Sequence, residues 1–164
     1  MLFPICAYGQ GLKRNTVYAG VSCNMPGGSA TYNRLLTRRL ALGGGISVTD
    51  IGSTYGNVAS AAYVDIRSAF GKRRSTLLLF ADIGAALYTG RQPDPARYYL
   101  APTGFYSAVG LGYCYRIFRR GAGPYASLGM QAYKTDAHTV GRAPHDLDYS
   151  LISAYAVLSL GFKF

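Results

Sequence analysis

The chain contains no tryptophan and no glutamate, and all seven of its acidic residues are aspartates. With 21 glycines and 15 tyrosines beside that absence, the composition is not helical. Charged residues make up only 15% and hydrophobic residues 49%, which excludes a disordered tail. No apolar run approaches the roughly 20 residues that a membrane helix needs. One of the longest, Leu77-Leu78-Leu79-Phe80-Ala81, is far too short. Three cysteines in 164 residues do not make a disulfide-stapled miniature, and the length suits one domain with its own core. An all-β chain is expected. Its mean hydropathy of +0.09 leaves the membrane question to the strand pattern.

The net charge of +10 would suit a polyanion if the basic residues formed one stripe. They fall instead into short clusters, Lys13-Arg14, Arg38-Arg39, Lys72-Arg73-Arg74 and Arg119-Arg120, with no aspartate inside any of them. Nucleic-acid binding is therefore not expected.

Residues 1–9 are expected to be the remnant of a secretory signal peptide, leaving 10–164 as the folded domain. Leu2-Phe3-Pro4-Ile5-Cys6 is a short apolar stretch, and Ala7-Tyr8-Gly9 has the small-x-small form of a cleavage site. The basic segment that opens such signals is missing, so an ordinary loose terminus is the alternative. Cys6 lacks the small residues that would mark a lipidation site before it.

From Asn15 the chain alternates with period 2 through segments bounded by turn residues. The spacing predicts eight strands: Thr16–Met25, Ala30–Leu36, Leu40–Thr49, Val58–Phe70, Thr76–Thr89, Thr103–Ile117, Pro124–Lys134 and Tyr149–Phe164. One face of most strands is apolar, as in Leu77, Leu79, Ala81, Ile83, Ala85 and Leu87. The opposite face mixes Gly, Ser, Tyr, Asp, Arg and Gln. The second segment is the least regular and its phase stays unassigned. Connections are expected to alternate, with short turns holding the basic clusters and longer loops holding Pro, Gly, Asp and His. An outer-membrane barrel needs such an even strand number, strands of about 10 residues and a charge-free face. Alternation alone does not say which face is inside, because soluble β-barrels and sandwiches alternate too.

The C-terminus carries the more specific signal. In Tyr155-Ala156-Val157-Leu158-Ser159-Leu160-Gly161-Phe162-Lys163-Phe164, the residues Leu158, Leu160, Phe162 and Phe164 alternate to a terminal aromatic. This stretch resembles the terminal insertion signal of bacterial outer-membrane barrels. With eight strands and repeated Gly-x-Gly interiors, the chain resembles the small OmpA/OmpX-type barrels. That resemblance implies an all-β, eight-stranded antiparallel up-and-down transmembrane barrel with both termini in the periplasm. It also implies the outer membrane as location, barrel-assembly machinery as the partner during insertion, and membrane lipids as neighbours.

Asp65, Arg67, Asp82, Arg116 and Lys163 all fall on the mixed face. They are expected to form a polar network in the lumen, where buried carboxylates need cations. An ion path or a paired-carboxylate site is the sharper alternative, but the interiors of eight-stranded barrels are normally filled by side chains. The last loop gathers Asp136, His138, His145, Asp146, Asp148 and Ser150, residue types that suit a metal or a nucleophilic triad. The lipid A deacylase and palmitoyltransferase barrels carry His and Ser near the outer rim. Here there is no His-x-Ser pair, and the His138–His145 spacing fits no zinc pattern, so no catalytic residue, cofactor or metal is assigned. Cys23 and Cys114 lie on opposite faces and are expected to be free. Tyr32, Tyr55, Tyr98, Tyr99, Tyr106 and Tyr149 are expected near one end of the strands. Phe70, Tyr113, Tyr115, Phe118 and Phe164 are expected near the other.

The reading is therefore a monomeric outer-membrane barrel with a closed lumen and a structural or surface-interaction role, its long loops open to an extracellular ligand. A lipid-modifying membrane enzyme is the alternative, and a soluble β-barrel that binds a small molecule comes third.

Overall fold

The computed structural model describes residues 15–52, 57–71, 74–89, 98–118, 122–139 and 148–164. The expected signal remnant lies outside them. Eight strands follow one another: β1 (Asn15–Ser22), β2 (Gly27–Leu35), β3 (Leu40–Gly52), β4 (Asn57–Phe70), β5 (Ser75–Thr89), β6 (Tyr98–Tyr115), β7 (Gly123–Thr139) and β8 (Asp148–Lys163). Each pairs antiparallel with its neighbour in sequence, and β1 pairs with β8, which closes the barrel. The strands and both faces follow from the period-2 pattern.

The pairing climbs as it goes round. Tyr18 pairs with Thr31, Thr31 with Gly45, Gly45 with Tyr63, and Tyr63 with Gly84. Gly84 pairs with Tyr106, Tyr106 with Tyr133, and Tyr133 with Ser153. Ser153 stands ten positions before Lys163, the residue opposite Tyr18 on β8. That stagger tilts the strands by about 35–45° and leaves an interior only wide enough for side chains.

The apolar face is the outer one. On β5, Leu77, Leu79, Ile83 and Leu87 are exposed, while Thr76, Leu78, Asp82 and Ala86 are buried. Every strand contributes to this outer wall, from Val21 at 60% exposure on β1 to Leu128 at 61% on β7. A soluble barrel would have the opposite arrangement. Described charges on the outer wall stand only towards its two ends: Arg34 and Arg39 at the basal end, where β1 begins and β8 finishes, and Asp50, Lys134 and Asp136 at the distal end.

Several sequence boundaries shift. β1 stops at Ser22, three residues before Met25, and the side chain of Asn24 then continues its ladder by accepting from Leu158 N–H and donating to Ala156 O. β2 absorbs Gly27, Gly28 and Ser29, expected as a turn, because they pair with Thr49, Val48 and Ser47. Its phase is now fixed: Thr31 and Asn33 are buried, whereas Ala30, Tyr32 and Arg34 are exposed. A tyrosine and an arginine on the outer wall are what hid that pattern. β6 begins at Tyr98 rather than Thr103, with an irregularity between Leu100 and Gly104. Pro102, which has no N–H to give, sits inside that interruption. β7 continues to Thr139, so Asp136 lies on a strand and not in a loop.

The connections do not alternate cleanly in length. Only 90–97 and 140–147 are longer at the distal end, while 53–56 there matches the basal turns 36–39 and 71–74, and basal 116–122 is itself long. In the 71–74 turn, Gly71 has φ +148°, a conformation that side-chain-bearing residues rarely adopt.

Candidate functional site: the filled lumen and the two rims

Three layers fill the barrel. The distal layer is tyrosine. Tyr63, Tyr106 and Tyr133 occupy one climbing row, with ring centroids 5.4 and 5.2 Å apart, and Tyr88 meets Tyr133 edge-on at 6.5 Å. Tyr63 shares a 2.8 Å hydrogen bond with the Thr31 hydroxyl, and Tyr133 donates to Thr49 at 3.2 Å. Such large rings fit because glycine stands beside them. A Cβ on Gly45 would lie 2.6 Å from the Tyr63 ring, and one on Gly110 would lie 2.6 Å from Phe80.

The middle layer holds the charges. Asp65 is fully buried and accepts from Arg67 at 2.6 Å through Nη2 and 3.3 Å through Nε. Asn33 donates to the same carboxylate at 3.1 Å. Residues two apart on one strand share a face, which is why Asp65 and Arg67 meet. Asp82 pairs directly with Asp65 across β4 and β5. Its Oδ1 is buried and meets no hydrogen-bond donor among the described residues. Beside it is a cavity of about 50 Å³, touched by Arg67, Thr31, Ser127 and Gln131. The volume suits a water-sized occupant rather than a substrate.

In the basal layer Tyr18, Leu78, Cys114 and Tyr125 pack together. The Tyr18 ring lies between two cations, 4.0 Å from the Arg67 guanidinium carbon and 5.7 Å from Lys163 Nζ. Arg116 turns to Thr76, donating from Nη2 at 2.9 Å. The five charged residues anticipated in the lumen thus form two groups. Asp65, Arg67 and Asp82 meet at mid-height, while Arg116 and Lys163 sit at the basal mouth, with Tyr18 between. The sequence carried no sign of the three-tyrosine row, because its members come from three strands.

The rims differ in charge. At the basal end Arg34, Arg38, Arg39 and Arg74 are exposed, and no acidic residue accompanies them among the described residues. At the distal end Lys134 is accompanied by Asp50 and Asp136. There Ser150 donates to Asp136 at 2.9 Å, and the register sets His138 opposite Asp148. The serine hydroxyl thus donates to a carboxylate, and the His138 side chain lies outside the described residues. His145 and Asp146 lie outside the described residues.

Aromatic side chains ring the basal end. Phe70, Tyr113, Tyr115, Phe118 and Phe164 are all exposed there, and Phe162 packs on Phe164 at 4.9 Å. Leu158, Leu160 and Phe164 of the terminal stretch face outwards. Two tyrosines expected at the opposite end are elsewhere. Tyr106 is in the lumen, and Tyr32, exposed on the outer wall, lies three residues from the basal end of β2. Tyr55 and the side chains of Tyr98, Tyr99 and Tyr149 lie outside the described residues. Cys23 is exposed and Cys114 buried, and both are free.

No family model matches the chain, and no curated protein does. Among solved structures it is similar to one titled the crystal structure of the outer membrane enzyme PagL, with 15% identity and a TM-score of 0.41, over 92% of this chain and 98% of that one.

Proposed function

We propose that the chain is an integral outer-membrane β-barrel of the OmpA/OmpX type, monomeric, with a lumen closed by side chains and a structural or surface-interaction role without catalysis. One observation carries this reading: an apolar wall faces outwards on all eight strands around an interior of hydroxyls, amides and charges. In water that arrangement would leave the apolar wall uncovered. In a bilayer it is the required one, since lipid covers the wall and strand pairing satisfies the backbone. The exposed aromatics at the basal end support an interfacial girdle. The tyrosine row and the Asp65–Arg67 pair support a plug rather than a pore.

The outer-membrane lipids are then the constant partner, with assembly machinery engaging the Leu158-to-Phe164 stretch during insertion. The distal loops are the surface open to an extracellular ligand. The chain exported with an intact signal should sediment with outer membranes and change mobility on an SDS gel when boiled. A soluble product with no mobility change contradicts the proposal.

A second reading, acyl transfer or deacylation of membrane lipid, rests on the Asp136–Ser150 and His138–Asp148 rungs at the distal rim. Under it, His138→Ala together with His145→Ala abolishes release or transfer of lipid acyl chains; under the first reading there is no such activity to lose.

A further inference from the structure

The basal rim gathers positive charge with no acidic side chain beside it among the described residues. Arg34, Arg38, Arg39 and Arg74 are exposed there, and Asp65, the nearest carboxylate on β4, is already engaged by Arg67. Backbone hydrogen bonds bind the basal connections into one rim. Ala69 N–H donates to Arg39 O at 2.7 Å, and Arg116 N–H donates to Arg74 O at 2.8 Å. Cations on two successive basal connections, 36–39 and 71–74, are thereby held on the same rim, despite their mutual repulsion.

Two of them belong to the outer wall. Arg34 occupies an outward position on β2, directly opposite Leu42 of the apolar wall. Arg39 lies over the exposed ring of Phe70, 6.0 Å from its centre. A cation beside an aromatic girdle stands where hydrocarbon gives way to head groups, with an apolar stem along the wall and a charged tip at the phosphates. An acidic soluble partner would meet the mouth of the barrel; only a lipid meets its flank at Arg34 and Arg39.

We propose that this rim is a binding surface for anionic phospholipid head groups, the phosphodiesters of a phosphatidylglycerol-type lipid. It rests on the membrane-barrel reading. Guanidinium groups suit the role, since they offer paired N–H donors to two phosphate oxygens. Each cation brought to an anionic surface contributes about 1 kcal/mol, or roughly fivefold in binding.

The test uses the barrel refolded into phosphatidylcholine vesicles, with the boiling-dependent gel shift as the check of folding. The barrel is then held in detergent, and binding of phosphatidylglycerol and of phosphatidylcholine is compared by native mass spectrometry. The wild-type chain should prefer phosphatidylglycerol by at least about tenfold, two or more cations being engaged. Arg34→Gln/Arg38→Gln/Arg39→Gln/Arg74→Gln should reduce the preference to less than about twofold, while Lys134→Gln at the other end should keep it. Equal binding of the two lipids by the wild-type chain overturns the proposal, and so does a preference that survives the fourfold substitution. Loss of the preference in millimolar inorganic phosphate would assign the rim to a free anion and overturn the lipid assignment. No folded form in phosphatidylcholine vesicles would bring down the membrane-barrel reading beneath it.

Discussion

Replacing Arg67 with Met tests whether the lumen is dry. Among the described residues Arg67 is the one cation bound to Asp65, a fully buried carboxylate, and it lies 4.0 Å from the Tyr18 ring. Its removal leaves Asp65 and Asp82 directly opposite one another with no cation between them. Breaking a buried ion pair by removing one partner costs about 3–5 kcal/mol. The lost contact with Tyr18 adds about 1 kcal/mol. Met fills much of the same volume, so the loss reports charge rather than a void. In that background Asp65→Asn with Asp82→Asn should restore all but about 1–2 kcal/mol, because the uncompensated charges leave together. The assay is urea unfolding in vesicles, followed by the boiling-dependent gel shift. A loss below about 1 kcal/mol for Arg67→Met would refute the reasoning, since only a hydrated lumen leaves two carboxylates so lightly penalised.

Further outcomes follow from the walls and the plug. Ile83→Arg, on the outer wall, should cost about 2–4 kcal/mol in a bilayer, whereas a soluble barrel would tolerate a surface arginine within about 0.5 kcal/mol. In planar bilayers the wild-type chain should show no steady conductance; a large one would contradict the closed lumen. Gly45→Ala places a Cβ 2.6 Å from the Tyr63 ring and should cost about 1–3 kcal/mol by denaturation. In the folded barrel a membrane-impermeant maleimide should label Cys23 and spare Cys114; equal labelling would mean that the lumen is open to reagent.

Strand number and the division of most strands into an apolar and a mixed face were legible because both rest on local alternation, whereas which face lies outside is set only by closure of the barrel. Leu77 to Leu87 announces its phase without reference to any other strand. β2 was not legible, since Tyr32 and Arg34 occupy outward positions where apolar residues mark the other strands. The ends of β6 and β7 were hidden by Pro102 and by the polar run from Asp136, which read as loop until pairing with neighbouring strands is known. The charged network was half visible. Asp65 and Arg67 share a face by spacing alone, but the direct pairing of Asp82 with Asp65 depends on the register set by the 71–74 turn. The tyrosine row depends on the ten-residue stagger of the whole barrel, a property no single strand carries. The charge difference between the rims was written in the basic clusters, and it took the topology to bring Arg34 to the same end.

In the proposed barrel the apolar wall, and not the mixed face, meets lipid. Single cysteines at Ile83, on the outer wall, and Thr37, in the exposed 36–39 turn, would each carry a fluorophore in a chain with its own cysteines replaced by Ala. Quenchers attached midway along lipid acyl chains should then dim the Ile83 site strongly and the Thr37 site little. Little quenching at Ile83, or equal quenching at both, would contradict a lipid-facing wall.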